Sequence, residues 1–167
     1  MRIATSLLLV LLSTLTYAQP SFDCDILDAF DSTKVSFNAK EIPRKVLKLY
    51  WKKYGKTGVS KLDRMKSGKL NIANPNEEWN NSGIIYEDDK NAQLIYWGED
   101  DEKGFVFLKT GGLGILITCI IYDLKNDIIE NVPINNPTIS ALPLTASIVE
   151  LRKEIEEHIT CTGAELD

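Results

Sequence analysis

Apolar and polar residues change period along this chain, dividing it into a helix, a run of strands and a second helix. Between Ile42 and Tyr54 the period is helical. At about 100° per residue, Val46, Leu47, Tyr50, Trp51 and Tyr54 share one arc while Arg44, Lys45, Lys48 and Lys52 fall opposite. Pro43 suits the first turn and Gly55 suits the end, so the pattern predicts a basic amphipathic helix. Four runs of strand character follow: Gly83 to Glu87, Ala92 to Gly98, Phe105 to Lys109, and Ile115 to Asp123. Asp88 to Asn91, Glu99 to Gly104 and Thr110 to Gly114 separate them, and all three connections suit hairpins. The last run is apolar at successive positions, which predicts a strand buried on both faces or extending into a central strand. From Leu144 to Ile159 the helical period returns, with Leu144, Ile148, Leu151, Ile155 and Ile159 forming a stripe between glutamates and Lys153.

Weaker signals fill the gaps. Ser21 to Phe30 reads as a short helix with Asp23, Asp25 and Asp28 in its first turns, and Lys34 to Asn38 as a short strand. Residues 55–82 read as a long basic connection containing one strand candidate, Lys69 to Ile72, and an Asn74-Pro75-Asn76 turn. Lys125 to Pro143 is ambiguous, with Asn131 to Pro137 reading as loop. The expected fold is therefore α+β: an antiparallel meander of about four strands, with an N-terminal basic amphipathic helix and a C-terminal amphipathic helix packed on one face.

The first 18 residues add an address. Arg2, the apolar run Leu7 to Leu12, and Thr16-Tyr17-Ala18 before Gln19 have the layout of a secretory signal peptide. The expectation is a leader at 1–18 and a single soluble domain at 19–167, secreted or periplasmic. No later apolar run approaches the roughly 20 residues of a spanning helix. In an oxidising compartment, two of Cys24, Cys119 and Cys161 are expected to pair. Cys24 and Cys161 stand in polar surroundings, whereas Cys119 sits inside Ile115 to Ile121 as a small apolar group. A Cys24–Cys161 disulfide is expected; spacing alone leaves the other two pairings open.

Charge is sorted along the chain. Residues 40–69 hold eleven Lys and Arg against only Glu41 and Asp63, while residues 70–167 hold six basic and eighteen acidic groups. Such sorting serves either an anionic partner or the docking of the chain's own halves. The candidate contact residues are Arg44, Lys45, Lys48, Lys52, Lys53 and Trp51, which could meet an acidic protein or an anionic surface. Nucleic acid is not the expected partner of an exported acidic protein.

Catalytic signatures are sparse. The single histidine, His158, lies near a helix end, where it reads as a cation beside the helix C-terminus, with no nucleophile signature around it. The acidic groups at Asp23 to Asp31 and Glu99 to Glu102 lack calcium-loop spacing, and they read as a helix start and a hairpin tip. Gly111-Gly112-Leu113-Gly114 lies between strands, not before a helix, and reads as a turn, not a phosphate loop. Asn80-Asn81-Ser82 matches a glycosylation acceptor for a eukaryotic source. The sequence thus points to a non-catalytic binding protein of inhibitor, immunity or surface-interaction type. No catalytic residue, metal site or cofactor is expected. The alternative is a small apolar-ligand carrier with a pocket between the sheet and the C-terminal helix, and a third class is a hydrolase using two close carboxylates.

Overall fold

The computed structural model describes residues 21–54, 71–82, 84, 89–112 and 114–162; the side chains of Cys24, Ser32 and residues 160–162 lie outside that description. The expected leader and most of the Gly83 to Glu87 run also lie outside it. Strand β1 (Ser21–Asp23) is followed by a 3-10 helix at Cys24–Phe30, where the sequence predicts a short α-helix. Strand β2 (Val35–Ser36) precedes helix α1 (Arg44–Tyr54), and β3 (Ile72–Ala73) follows. The meander is β4 (Ala92–Asp100), β5 (Lys103–Thr110), β6 (Leu116–Asp123) and β7 (Ile128–Pro133). Helix α2 (Leu144–Glu156) and strand β8 (Thr160–Thr162) close the described chain.

Strands β4, β5, β6 and β7 pair antiparallel in sequence order, while β2 and β3 pair with successive stretches of the outer edge of β4. The expected α+β meander is present, but its fourth strand is β7, drawn from a segment that reads as ambiguous or loop. Local chemistry explains both tight connections. Asp101 and Glu102 hold φ of 47° and 65°, the paired positive values of a two-residue hairpin turn. At the β6–β7 turn, Asp127 has φ 53° and the Asp123 carboxylate accepts the Asn126 backbone N–H at 3.0 Å.

Two apolar cores lie on opposite faces, because successive strand residues point to opposite sides. Ile42, Val46 and Tyr50 pack with Leu94, Val106, Leu108, Ile120 and Tyr122 on one side. On the other, Ile148, Leu151 and Ile155 of α2, with Phe22, Ile26 and Phe30, cover Phe105, Phe107, Cys119 and Ile121. The helices pack on the sheet as expected but divide between its faces, where the sequence predicts helical cover on one. Burying Val46, Tyr50 and Ile42 contributes about 1.5–3 kcal/mol per side chain toward seating α1.

A register shift between Leu94 and Tyr96 interrupts the alternation of β4. In a regular strand these residues share a face. The bulge at Ile95 leaves Leu94 in the α1 core and turns Tyr96 into the α2 core.

Candidate functional site

The predicted contact residues all belong to α1, yet they do not act as one surface. Lys45 donates to the Leu124 carbonyl and pairs with Asp127 at 2.7 Å. Lys53 donates to the Ile129 carbonyl at 2.7 Å and pairs with Glu130, whose carboxylate also accepts from Tyr54 Oη at 2.6 Å. These two cations hold the helix to β7 and to the turn before it. Asp127 answers with a lowered pKa, caused first by the Lys45 hydrogen bond and to a lesser degree by Lys52.

Arg44, Lys48 and Lys52 differ. Spaced i, i+4, i+8, they form one exposed ridge covering an arc of about 80° and make no ion pair among the described residues. Half-buried Trp51 continues that surface on the side away from Lys45 and Lys53. The helix therefore presents three outward cations beside an indole.

A second feature lies on the other face. A cleft of about 230 Å³ opens between β4 and the start of α2. Phe37, Ile95, Leu142 and Leu144 supply its apolar walls, and Lys109, Gln93 and Ser140 contribute polar groups. In its depth, Tyr96 Oη and Ser147 Oγ hydrogen bond at 2.8 Å, each residue being 2% exposed. Burial raises the Tyr96 pKa, so its phenol stays protonated. The bulge at Ile95 is what carries Tyr96 to this side. Gln93 Nε2 is committed to the carbonyls of Pro75 at 2.9 Å and Glu77 at 3.1 Å.

Several of the acidic groups have structural partners. Asp23 and Asp25 both accept from buried Lys103, Asp100 pairs with Lys34, and Glu99 accepts from Tyr122 Oη at 2.9 Å. His158 Nδ1 donates to the Glu154 carbonyl at 2.8 Å just beyond α2, satisfying a last-turn acceptor. At Gly111 a Cβ would stand 2.1 Å from the Asn81 carbonyl oxygen, so a glycine is required for close approach of two backbones. Asn80 of the glycosylation motif is half-buried, and its Nδ2 donates to the Ile84 carbonyl and to Asn91. Trp97 Nε1 donates to the Asn38 carbonyl at 3.2 Å, while Trp79 lines a polar surface cleft with Glu78, Asn80, Asp89 and Lys90.

Cys119 is a free buried thiol whose pKa burial raises well above the ordinary range. The predicted Cys24–Cys161 pairing rests on side chains outside the described ones, and no disulfide joins the rest. The backbone pairs β1 with β8 in parallel, Phe22 standing opposite Cys161. No described helix is long and apolar enough to cross a membrane.

Sequence reasoning missed Tyr96, Ser147 and Lys109 as a group. They come from β4, α2 and β5, and only the bulge brings Tyr96 to the others' side. Comparison with protein families, curated proteins and solved structures finds no match for this chain.

Proposed function

We propose that this protein is a non-catalytic binding protein, secreted or periplasmic, which recognises a macromolecular partner with an anionic surface through the outward ridge of α1. The observation that carries this reading is the division of labour among the helix cations. Lys45 and Lys53 dock the helix, whereas Arg44, Lys48 and Lys52 are left to solvent beside Trp51. Exposed cations in a row steer an anionic partner and set its orientation more than they add affinity. Export through the leader at 1–18 and a Cys24–Cys161 cross-link belong to the same proposal. Support comes from the leader pattern and from the pairing of β1 with β8, which sets the two segments side by side.

The test is affinity capture from the native extracellular fraction with protein beginning at Gln19, repeated with Arg44, Lys48 and Lys52 changed together to Glu. A specific partner recovered by the parent and lost by the triple variant, which keeps its unfolding midpoint, is the expected result. Equal recovery by both proteins would make the ridge a solvated face and nothing more.

A second reading has its own observation. The cleft between β4 and α2 has the placement and the apolar walls of a small-ligand site, and a carrier would use it. At about 230 Å³ it lies just below the usual range of ligand pockets, roughly 300–1,000 Å³, so the ligand would be small.

A further inference from the structure

The chemistry of the β4–α2 cleft narrows what it would hold, an inference that rests on the small-ligand reading of that cleft. The Tyr96 and Ser147 hydroxyls carry two donor hydrogens between them. Their mutual bond at 2.8 Å uses one, and no described residue accepts the other. Each oxygen is satisfied by that mutual bond, so the remaining hydrogen is available to an acceptor that enters the cleft. Among the described residues, Lys109, half-buried on β5, is the only charged group lining the cleft, and its ammonium makes no ion pair with any of them. Around these groups Phe37, Leu142 and Leu144 give hydrocarbon walls, with Phe37 48% and Leu142 38% exposed at the mouth, while the polar Gln93 and Ser140 side chains are bonded to backbone carbonyls.

We infer that the cleft binds a small apolar carboxylate, its charge answered by Lys109 and its oxygen accepting from the hydroxyl pair. Size supports the same class. A cavity of roughly 150 Å³ takes benzene, so about 230 Å³ has room for one ring with a short carboxylate arm. The bulge at Ile95 gives the site its shape by re-aiming Tyr96, a use of bulges that recurs beside binding sites.

The experiment is a calorimetric titration of the protein from Gln19 onward with 3-phenylpropionate and with its neutral amide, followed by amide-resonance mapping. The acid is expected to bind with Kd about 0.1–1 mM, the range open to so few atoms, and to shift the resonances of Tyr96, Lys109 and Leu144. The amide should bind about ten-fold more weakly. Lys109→Gln should bring the acid down to the amide's affinity, and Lys109→Arg should restore most of it. Equal binding of acid and amide, or indifference to Lys109→Gln, would overturn the carboxylate inference while leaving an apolar-ligand site standing. If neither compound binds at about 10 mM, a concentration well above the expected Kd, both the inference and the reading beneath it fail.

Discussion

Replacing Lys103 and replacing its two partners should have unequal costs, although both remove the same ion pairs. Lys103 opens β5, and its side chain is 8% exposed, whereas Asp23 and Asp25 are 58% and 53% exposed. The bond from Lys103 Nζ to Asp23 spans 3.2 Å, and Asp25 is held as well, so the trio ties the N-terminal segment to the sheet. Lys103→Met keeps the apolar stem and returns two carboxylates to water they already touch. Losing the hydrogen bonds is largely offset by removing a desolvated ammonium, and the net change should be about 0–1 kcal/mol. Asp23→Asn with Asp25→Asn strands the cation instead. That should cost about 2–3 kcal/mol, below the 3–5 of a fully buried pair because water reaches the carboxylate side. Urea unfolding followed by tryptophan fluorescence measures both changes.

The pH dependence of that trio is set by the lysine. Burial alone would lower the Lys103 pKa, and Asp25 and Asp23 more than reverse that, so the folded value lies above the ordinary 10.5. The contribution is complete below 10.5 and is lost as pH rises through the folded value. The gap between parent and Asn pair should therefore close only in strong alkali. If Lys103→Met destabilises as much as the Asn pair, the attraction exceeds the cost of desolvation by well over about 1 kcal/mol and the near-cancellation argued from desolvation is wrong.

At Gly98 an added Cβ would meet the Ala29 carbonyl oxygen at 2.7 Å and the Phe105 ring at 2.9 Å, and Phe105 is already stacked on Phe30 at 4.1 Å. Gly98→Ala should lower stability by about 1–3 kcal/mol in urea titration. Cys119, buried with a raised pKa, should react with a thiol reagent only as fast as the protein opens, and at once in denaturant; rapid labelling of the native protein would contradict the packing of β6. Asp31, Glu41, Glu77 and Asp127 all have lowered pKa values, caused first by the Thr33 backbone N–H, Ser36, Lys90 and Lys45 respectively. Their contributions are complete above the ordinary values of 3.8 for Asp and 4.5 for Glu, and are lost as pH falls through the folded values. Thermal midpoints should hold down to about pH 5 and decline below it, most steeply under the ordinary carboxylate range.

Much of this fold is legible in the sequence wherever one period persists. Arg44–Tyr54 and Leu144–Glu156 match the helical stripes to within three residues at either end, and β4, β5 and β6 overlap their predicted runs. Strand β7 is obscured by its composition, because Ile-Ile-Glu-Asn-Val-Pro mixes apolar pairs with turn formers and ends in proline. The signal that could have found it is Asn126-Asp127, turn formers a few residues after an apolar run, with Asp127 at positive φ. The segment after β1 misleads because acids in a first turn favour helical starts of either kind, and seven residues are too few for period to decide. The cleft is invisible in the sequence for a different reason. The bulge at Ile95 has no signature in the residue types Leu94 to Trp97, which are apolar throughout, yet it decides which face Tyr96 joins.

Sorted charge has two physical uses, and α1 divides them by angle. Lys45 and Lys53 lie eight residues apart, and each reaches a carbonyl and a carboxylate at or beside β7, so part of the basic–acidic asymmetry is the chain recognising itself. Had every cation of the helix been taken in this way, the asymmetry would carry no message about a partner. Arg44, Lys48 and Lys52 make no ion pair among the described residues, Lys52 acting on Asp127 only through space, and they lie on an arc that core packing does not need, since Val46 and Tyr50 already seat the helix. Exposed charges interact over about one Debye length, near 10 Å at 0.1 M salt, so the partner proposed for the ridge would be selected by steering and contact. Association through it should therefore slow as salt rises while dissociation changes little. A partner whose association rate is the same at about 0.05 and 0.5 M salt would not be using the ridge, since screening strengthens steeply over that interval.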